Sequence, residues 1–157
     1  MKKIAILTLV LMLIFVLAAC GNTKPTQLGT SDLSIVLPDG YTAAEDDFDE
    51  DQVAYFYKDA SSIDFDVYQW AKGDEHTLES EANYYAAEYD TTAEAVTVNG
   101  IKGYKYVSSE EYEGNTYTVV NYMFEDDTNI VEICFWTVGD DAEYKAVDEI
   151  INTLKKN

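Results

Sequence analysis

The sequence contains no arginine, and its lysines are far outnumbered by acidic residues. Ten lysines stand against 30 aspartates and glutamates, which gives a formal net charge of −20 at pH 7. Arginine side chains are the preferred partners of phosphate groups, and a polyanion is repelled by nucleic acid. The composition therefore argues against a nucleic-acid-binding protein. It also predicts repulsion from anionic lipid headgroups.

Histidine occurs once and cysteine only twice, which restricts the chemistry that the chain can perform. His76 follows Asp74 and Glu75 in a polar segment, as is typical of a solvated loop histidine. Cys134 lies in the apolar run IVEICFWTV, which predicts a buried, inert thiol. The sequence also lacks a GxSxG elbow, a nucleotide-binding glycine loop and ligand-spaced histidines and cysteines. No catalytic residue, metal site or cofactor is therefore predicted.

The N-terminus has the pattern of a bacterial export signal. Lys2 and Lys3 precede an apolar run over residues 4–17, which is too short for a comfortable transmembrane helix. The motif Leu17-Ala18-Ala19-Cys20 that follows resembles the lipobox of bacterial lipoproteins. This resemblance implies cleavage before Cys20 and attachment of lipid, including a palmitate-type chain, to that cysteine. The alternatives are an ordinary signal peptide with a chance cysteine, or an uncleaved anchor helix.

These features divide the chain into three parts. Residues 1–19 are predicted to be the signal peptide, and residues 20–32 the lipidated cysteine with a flexible tether, because GNTKPTQLGTSD is small and polar. Residues 33–157 are predicted to form one globular domain. The expected location is the extracytoplasmic face of the cell membrane, where lipid on Cys20 is the anchor.

Most of the domain has the patterns of β-strands. Asn99-Gly100 is the strongest hairpin signal, because type I′ turns need positive φ at both central positions. The last two strands are apolar on both faces, which predicts central positions in a sheet. The predicted strands, about seven in number, cover residues 33–38, 52–58, 62–72, 93–98, 101–109, 116–124 and 130–138.

Two segments instead have helical periodicity. The first begins with Thr77 as a predicted N-cap, and the second begins after Gly139 with the acidic box Asp140-Asp141-Ala142-Glu143. Their predicted apolar stripes are Leu78, Ala82, Tyr85 and Tyr89 in the first helix, and Tyr144, Val147, Ile151 and Leu154 in the second.

The fold class is therefore α+β, with an antiparallel sheet of about seven strands and two helices. The order of elements over residues 33–156 resembles the PsbP-like α/β/α sandwich of small exported proteins. A cystatin-like or other α+β sheet remains an alternative.

Aromatic residues provide the main candidate for a binding surface. Thirteen tyrosines and two tryptophans are many for a chain of this length. Tyr68 and Trp70 are predicted to share a strand face, and Tyr55 and Tyr57 a face of the neighbouring strand. Such a surface, with acids nearby, could stack on a sugar, a cation or a peptide. The favoured interpretation is simpler: a sheet covered by helices needs large residues.

The acidic segment EDDFDED, residues 45–51, partly matches a calcium loop. Asp47, Asp49 and Asp51 have the spacing that opens an EF-hand, but Gln52 and Lys58 replace the required glycine and glutamate. The segment is therefore predicted to be a solvated loop that binds Ca²⁺ no tighter than about millimolar.

The sequence thus predicts a membrane-anchored, extracytoplasmic binding or scaffolding module without catalysis, whose partner is an unidentified protein or small ligand. The alternative is a small extracytoplasmic hydrolase that uses paired carboxylates. A two-lobed solute-binding protein is a third hypothesis, for which the chain is short.

Overall fold

The computed structural model describes residues 25–44, 48, 50–58, 63–138 and 141–157. The predicted signal peptide and Cys20 lie outside these residues, as do Asp47 and Asp49 of the acidic segment. The strands of the described part are β1 (Pro25–Gln27), β2 (Leu33–Val36), β3 (Thr42–Ala43), β4 (Gln52–Tyr57), β5 (Asp64–Ala71), β6 (Glu94–Val98), β7 (Ile101–Tyr112), β8 (Asn115–Glu125), β9 (Asn129–Thr137) and β10 (Lys155–Lys156). The helices are α1 (Leu78–Glu88) and α2 (Asp141–Ile151).

Seven strands form the main sheet, in the order β3-β4-β5-β9-β8-β7-β6, and every neighbouring pair is antiparallel. The predicted α+β class, with two helices and an antiparallel sheet of about seven strands, is confirmed. β8 and β9 occupy central positions, as their two apolar faces indicated.

The hairpin turns follow the turn chemistry of the sequence. Asn99 and Gly100 have φ values of 50° and 83°, and they connect β6 to β7. Glu113 and Gly114, with φ of 50° and 80°, connect β7 to β8. Both central residues of each turn are left-handed, which matches the twist of the flanking strands.

One face of the main sheet carries the larger apolar core. α2 and the small sheet pack against this face through Val147, Ile151, Leu154 and Ile35, all nearly or completely buried. The predicted stripe of the second helix is therefore confirmed for Val147 and Ile151. Leu154 is buried in the same core but lies beyond the helix, which ends at Ile151. Tyr144, the remaining member, is partly buried at the edge of the same core.

The opposite face of the sheet is only partly covered, by α1. Thr77 caps this helix as predicted: its hydroxyl accepts a hydrogen bond from the Ser80 backbone N–H at 3.2 Å, and the Ser80 hydroxyl accepts one from the Thr77 N–H at 2.9 Å. Leu78 and Ala82 are buried against the sheet. Tyr89, predicted in the same stripe, is the C-cap and is 42% exposed, because the helix ends at Glu88.

The prediction of a flexible tether is corrected for residues 25–32. β1 pairs with β2, and β10 pairs with the other side of β2, which gives a second sheet of three strands. Leu28 is completely buried in the core, and Ser31 donates a hydrogen bond to its carbonyl oxygen at 2.7 Å. The folded domain therefore includes residues 25–32 as well as the predicted range from Leu33. No helix in the described ranges is long and apolar enough to cross a membrane.

Candidate functional site

The sheet face that α1 only partly covers is lined with aromatic and acidic side chains. We call this surface, formed by Tyr55, Asp64, Asp66, Tyr68, Trp70, Glu132 and Trp136, the tyrosine face. Strand pairing places its members together, because residues opposite each other on paired strands point to the same side. Tyr55 lies opposite Asp66, and Tyr68 opposite Glu132. Two cavities lie on the described part of this face.

The open cavity has a volume of about 530 Å³ and lies over β4, β5 and the end of β9. Tyr55, Tyr68 and Trp136 line it together with Asp64 and Asp66. Tyr112 and Tyr117, at the end of the β7–β8 hairpin, complete its aromatic wall. An apolar wall with a few carboxylates is the usual composition of a small-molecule site.

Hydrogen bonds hold both aspartates of the open cavity. The Trp136 indole N–H donates to Asp66 Oδ2 at 2.6 Å, and the Gln52 amide donates to Asp66 Oδ1 at 2.6 Å. The Tyr55 hydroxyl donates to Asp64 Oδ2 at 2.9 Å. Burial, and then this bond to Asp64, raise the pKa of Tyr55 above its ordinary value. The carboxylates are therefore fixed in position as acceptors.

The second cavity, which we call the closed cavity because α1 covers one side of it, is smaller, about 310 Å³, and lies between α1 and the centre of the sheet. It is partly open to solvent, since Glu50, Asp51 and Tyr89 in its lining are exposed. Glu132 lies in its wall and is only 6% exposed. Tyr106, which reaches Glu132 from β7 across β8, donates its hydroxyl hydrogen to Glu132 Oε1 at 2.5 Å. No other described residue donates a hydrogen bond to this carboxylate.

Burial controls the ionisation of the groups in the closed cavity. Burial raises the pKa of Glu132 to about 7, against the hydrogen bond from Tyr106, and the negative charges of Glu110 and Glu81 add to the rise. The pKa of Tyr106 is raised as well, by burial and by the Glu132 carboxylate. Burial also raises the pKa of the Cys134 thiol. The predicted buried position of Cys134 is confirmed, and its thiol is protonated at neutral pH.

Aromatic rings form most of the remaining wall of the closed cavity. Trp70 packs on Tyr85 with ring centroids 5.8 Å apart, and Tyr89 stacks on Tyr106 at 6.3 Å. The indole N–H of Trp70 is buried and has no hydrogen-bond acceptor in the described part of the chain. Buried polar atoms without a partner are uncommon in folded proteins and call for an explanation.

Three of the four predicted ligand-face residues lie in the cavities. Tyr55 lines the open cavity, Trp70 the closed one, and Tyr68 both. Tyr57 stacks on Tyr55 at a centroid distance of 5.9 Å but lines neither cavity. The sequence prediction missed Glu132, although a single charged residue inside the apolar run IVEICFWTV was a signal that it could have used.

His76 is exposed, as a solvated loop histidine would be, and its Nδ1 lies 2.7 Å from Glu81 Oε1. Within the residues that the structure describes, no group of three or more histidine, cysteine, aspartate or glutamate side chains is arranged to hold a metal ion.

Comparison with known proteins identifies the fold. No protein-family model matches the sequence, and no curated protein matches it. The solution structure of cyanobacterial PsbP (CyanoP) from Synechocystis sp. PCC 6803 is similar, with a TM-score of 0.67 and 13% identity over 88% of this chain and 96% of that one. A crystal structure from Bacteroides thetaiotaomicron VPI-5482 has a TM-score of 0.60 and 18% identity over 83% of this chain. The match spans only about half, 49%, of the Bacteroides protein. The fold is therefore PsbP-like, as the order of elements in the sequence indicated.

Proposed function

We propose that the protein is a lipid-anchored binding module on the extracytoplasmic side of the cell membrane, and that its ligand binds on the tyrosine face. One observation carries this proposal: α1 covers only part of a sheet face. Two cavities on the described part of that face, one beyond α1 and one between α1 and the sheet, are lined by aromatic and acidic side chains. The PsbP-like fold supports a small domain of this kind, and the lipobox supports its anchor.

The anchor is tested by replacing the lipobox cysteine. Lipid on Cys20 would hold the protein at the membrane, because each buried CH₂ contributes about 0.8 kcal/mol and two or more chains give stable attachment. Cys20→Ser is expected to abolish labelling by radioactive palmitate. Ala19→Gly keeps a small residue before the cysteine and serves as the control. Unchanged labelling of the Cys20→Ser chain would disprove the anchor.

Ligand binding can be followed with the protein's own fluorescence. The chain has two tryptophans, and both Trp70 and Trp136 line the cavities. A ligand on the tyrosine face should therefore change their emission. The probes are choline, maltotriose and tetra-alanine, added separately to the full-length protein in neutral detergent micelles, so that a cation, a sugar and a peptide are compared.

Two tyrosine variants distinguish binding on this face from other effects. Tyr68→Ala should weaken the response to the active probe, because Tyr68 lines both cavities. Tyr57→Ala is the matched control, since Tyr57 lies on the same side of the sheet but outside both cavities. Equal responses of these variants, or no response to any of the three probes, would contradict the proposed function.

A hydrolase based on paired carboxylates is the second candidate, and it is favoured by Glu110 and Glu132. Both line the closed cavity, and burial raises the pKa of each carboxyl group, as a general acid requires. A panel of nitrophenyl glycosides tests this candidate. Turnover that is lost in both Glu110→Gln and Glu132→Gln would establish the hydrolase in place of the binding module.

A further inference from the structure

The closed cavity combines a buried acid, several aromatic rings and no positive charge. Its described lining contains the acids Glu50, Asp51, Glu110 and Glu132, and no lysine or histidine. The nearest neighbours of Glu132 across the sheet are Tyr68 and Met123, neither of which is a cation. Among the residues that the structure describes, Glu132 therefore has no counter-charge.

A buried carboxylate with a single hydrogen bond is costly to the folded state. Removing an ionised carboxylate from water destabilises the folded state unless a cation or several hydrogen bonds compensate for it. Tyr106 supplies one such bond, to Oε1. A positive ligand in the cavity would supply the compensation that the protein lacks.

The aromatic walls limit which cation would fit. Tyrosine and tryptophan rings attract cations over their faces, and this attraction is strongest for organic ammonium groups that shed water easily. A hard divalent ion instead needs six or more oxygen ligands, which the described cavity wall does not supply. Anions would be repelled by the four acids.

We propose that the closed cavity binds a small organic cation, a quaternary or protonated amine, with Glu132 as its counter-charge and the rings of Trp70, Tyr85 and Tyr106 as its walls. This inference rests on the proposed function and names its ligand class. The cavity volume of about 310 Å³ suits a small ion rather than a polymer. A ligand that also carries an oxygen atom would provide an acceptor for the buried indole N–H of Trp70.

The test uses choline and its uncharged carbon analogue 3,3-dimethylbutanol, which have nearly the same shape. Each is titrated into the full-length protein in neutral micelles, and binding is followed by tryptophan fluorescence and by calorimetry. Choline should bind at least about tenfold more tightly than the analogue, since cation–π attraction and the Glu132 charge both require the positive centre. Equal affinities would overturn the cation site.

Two variants locate the charge that choline requires. Glu132→Gln keeps the shape of the side chain and an acceptor for Tyr106, and it should reduce choline affinity at least about tenfold. Glu125→Gln is the matched control: Glu125 lies on the same side of the sheet, pairs with Lys72 at 3.1 Å, and lines neither cavity. Choline affinity that is unchanged in Glu132→Gln would overturn the proposal.

A pH series provides a readout that a purely structural role of Glu132 would not change. Choline keeps its charge at every pH, so its affinity should rise between pH 5.5 and pH 8 as Glu132 ionises. In Glu132→Gln the rise in choline affinity between these pH values should disappear. Its loss would assign the pH dependence to Glu132 rather than to the other ionisable groups. The ionisable groups that line the cavity or act on Glu132 from the neighbouring elements are Glu50, Asp51, Tyr68, Glu81, Tyr85, Tyr89, Tyr106, Glu110 and Cys134.

The failure of this inference and the failure of the proposed function give different results. If maltotriose or tetra-alanine changes the fluorescence and choline does not, the cation site is wrong and the binding module stands. If none of the probes acts, both are wrong.

Discussion

The two faces of the main sheet are built in opposite ways. On the face covered by α2 and the small sheet, Phe65, Phe124 and Phe135 are completely buried among other apolar side chains. On the tyrosine face, the buried residues include Asp66 and Glu132, and cavities remain between α1 and the sheet. The same strands supply both faces, because successive side chains point to opposite sides.

If the proposed function is right, this difference between the faces assigns stability to one face and ligand binding to the other. Dense apolar packing supplies most of the free energy of folding, and it leaves no space for a ligand. Buried acids and cavities reduce stability, but they hold fixed charges where a ligand can reach them. A protein with both faces packed alike would be more stable and would lack these cavities. The predictions below test this division.

The largest expected effect is the loss of a core aromatic side chain. Phe135→Ala should reduce the free energy of unfolding by about 3–5 kcal/mol, because it leaves a cavity between β9 and the elements that cover it. Urea denaturation measures the change. Val138→Ala, three residues further along the chain at a 59% exposed position, should cost less than about 0.5 kcal/mol. A loss below about 1 kcal/mol for Phe135→Ala would mean that the packed face does not dominate stability.

Asp126→Ala should cause the next largest loss of stability, because Asp126 ties the N-terminal segment to the β8–β9 turn. Burial would raise the pKa of Asp126, but hydrogen bonds to its carboxylate lower that pKa to about 2. The donors are the backbone N–H groups of Thr128 at 2.7 Å, Asn129 at 2.6 Å and Asp32. A lowered pKa means stability that is present above the ordinary aspartate pKa and is lost as the pH falls towards 2.

At pH 7, Asp126→Ala is therefore expected to cost about 2 kcal/mol, and the cost should shrink in acid below about pH 4. Thermal unfolding at several pH values measures this. Asp127→Ala removes an adjacent, 90% exposed side chain and should have a much smaller effect. A cost that does not depend on pH would show that the Asp126 charge is not what holds the turn.

On the tyrosine face, a substitution should increase stability instead. The pKa of Glu132 is raised to about 7, so the folded protein binds a proton more tightly than the unfolded chain. Stability should therefore fall as the pH rises from about 4.5 to 7. Glu132→Gln should be more stable than the natural protein by about 3 kcal/mol at pH 8, and equally stable at pH 4. Destabilisation at pH 8 would break the proposed division between the faces.

The smallest effect is expected at the edge of the open cavity. Tyr55→Phe removes the hydroxyl that donates to Asp64 but keeps the ring, so the loss of stability should stay below about 1 kcal/mol. Chemical denaturation with Tyr57→Phe as the comparison checks this. A loss above about 2 kcal/mol would mean that the open cavity is part of the structural core.

The features that were predicted correctly from the sequence are those that depend on neighbouring residues. The turn at Asn99-Gly100, the cap at Thr77 and the central positions of β8 and β9 all follow from patterns within a few residues. The first strand was missed because its local sequence is polar, and only Leu28 indicates burial. β1 pairs with β2, and β2 in turn forms hydrogen bonds with residues more than 100 positions away.

The site was harder to predict for a similar reason. Tyr68 and Trp70 were recognised because they alternate along one strand. The contact between Glu132 and Tyr106 instead requires the order β9-β8-β7, since the tyrosine reaches across the strand between them. The strand order cannot be read from any local sequence pattern. The same is true of the part of the sheet that α1 leaves uncovered.

The three-stranded sheet has a consequence for the order of folding. β10 pairs with β2, and the backbone N–H of Asn157 donates to the Asp32 carbonyl at 2.8 Å. A chain that emerges with its N-terminus first cannot complete this sheet until residues 155–157 are available. Contacts over such long sequence separations form slowly, because closing a long loop costs entropy. The segment nearest the proposed membrane attachment should therefore be among the last to become ordered, after the meander of β6 to β9 has formed.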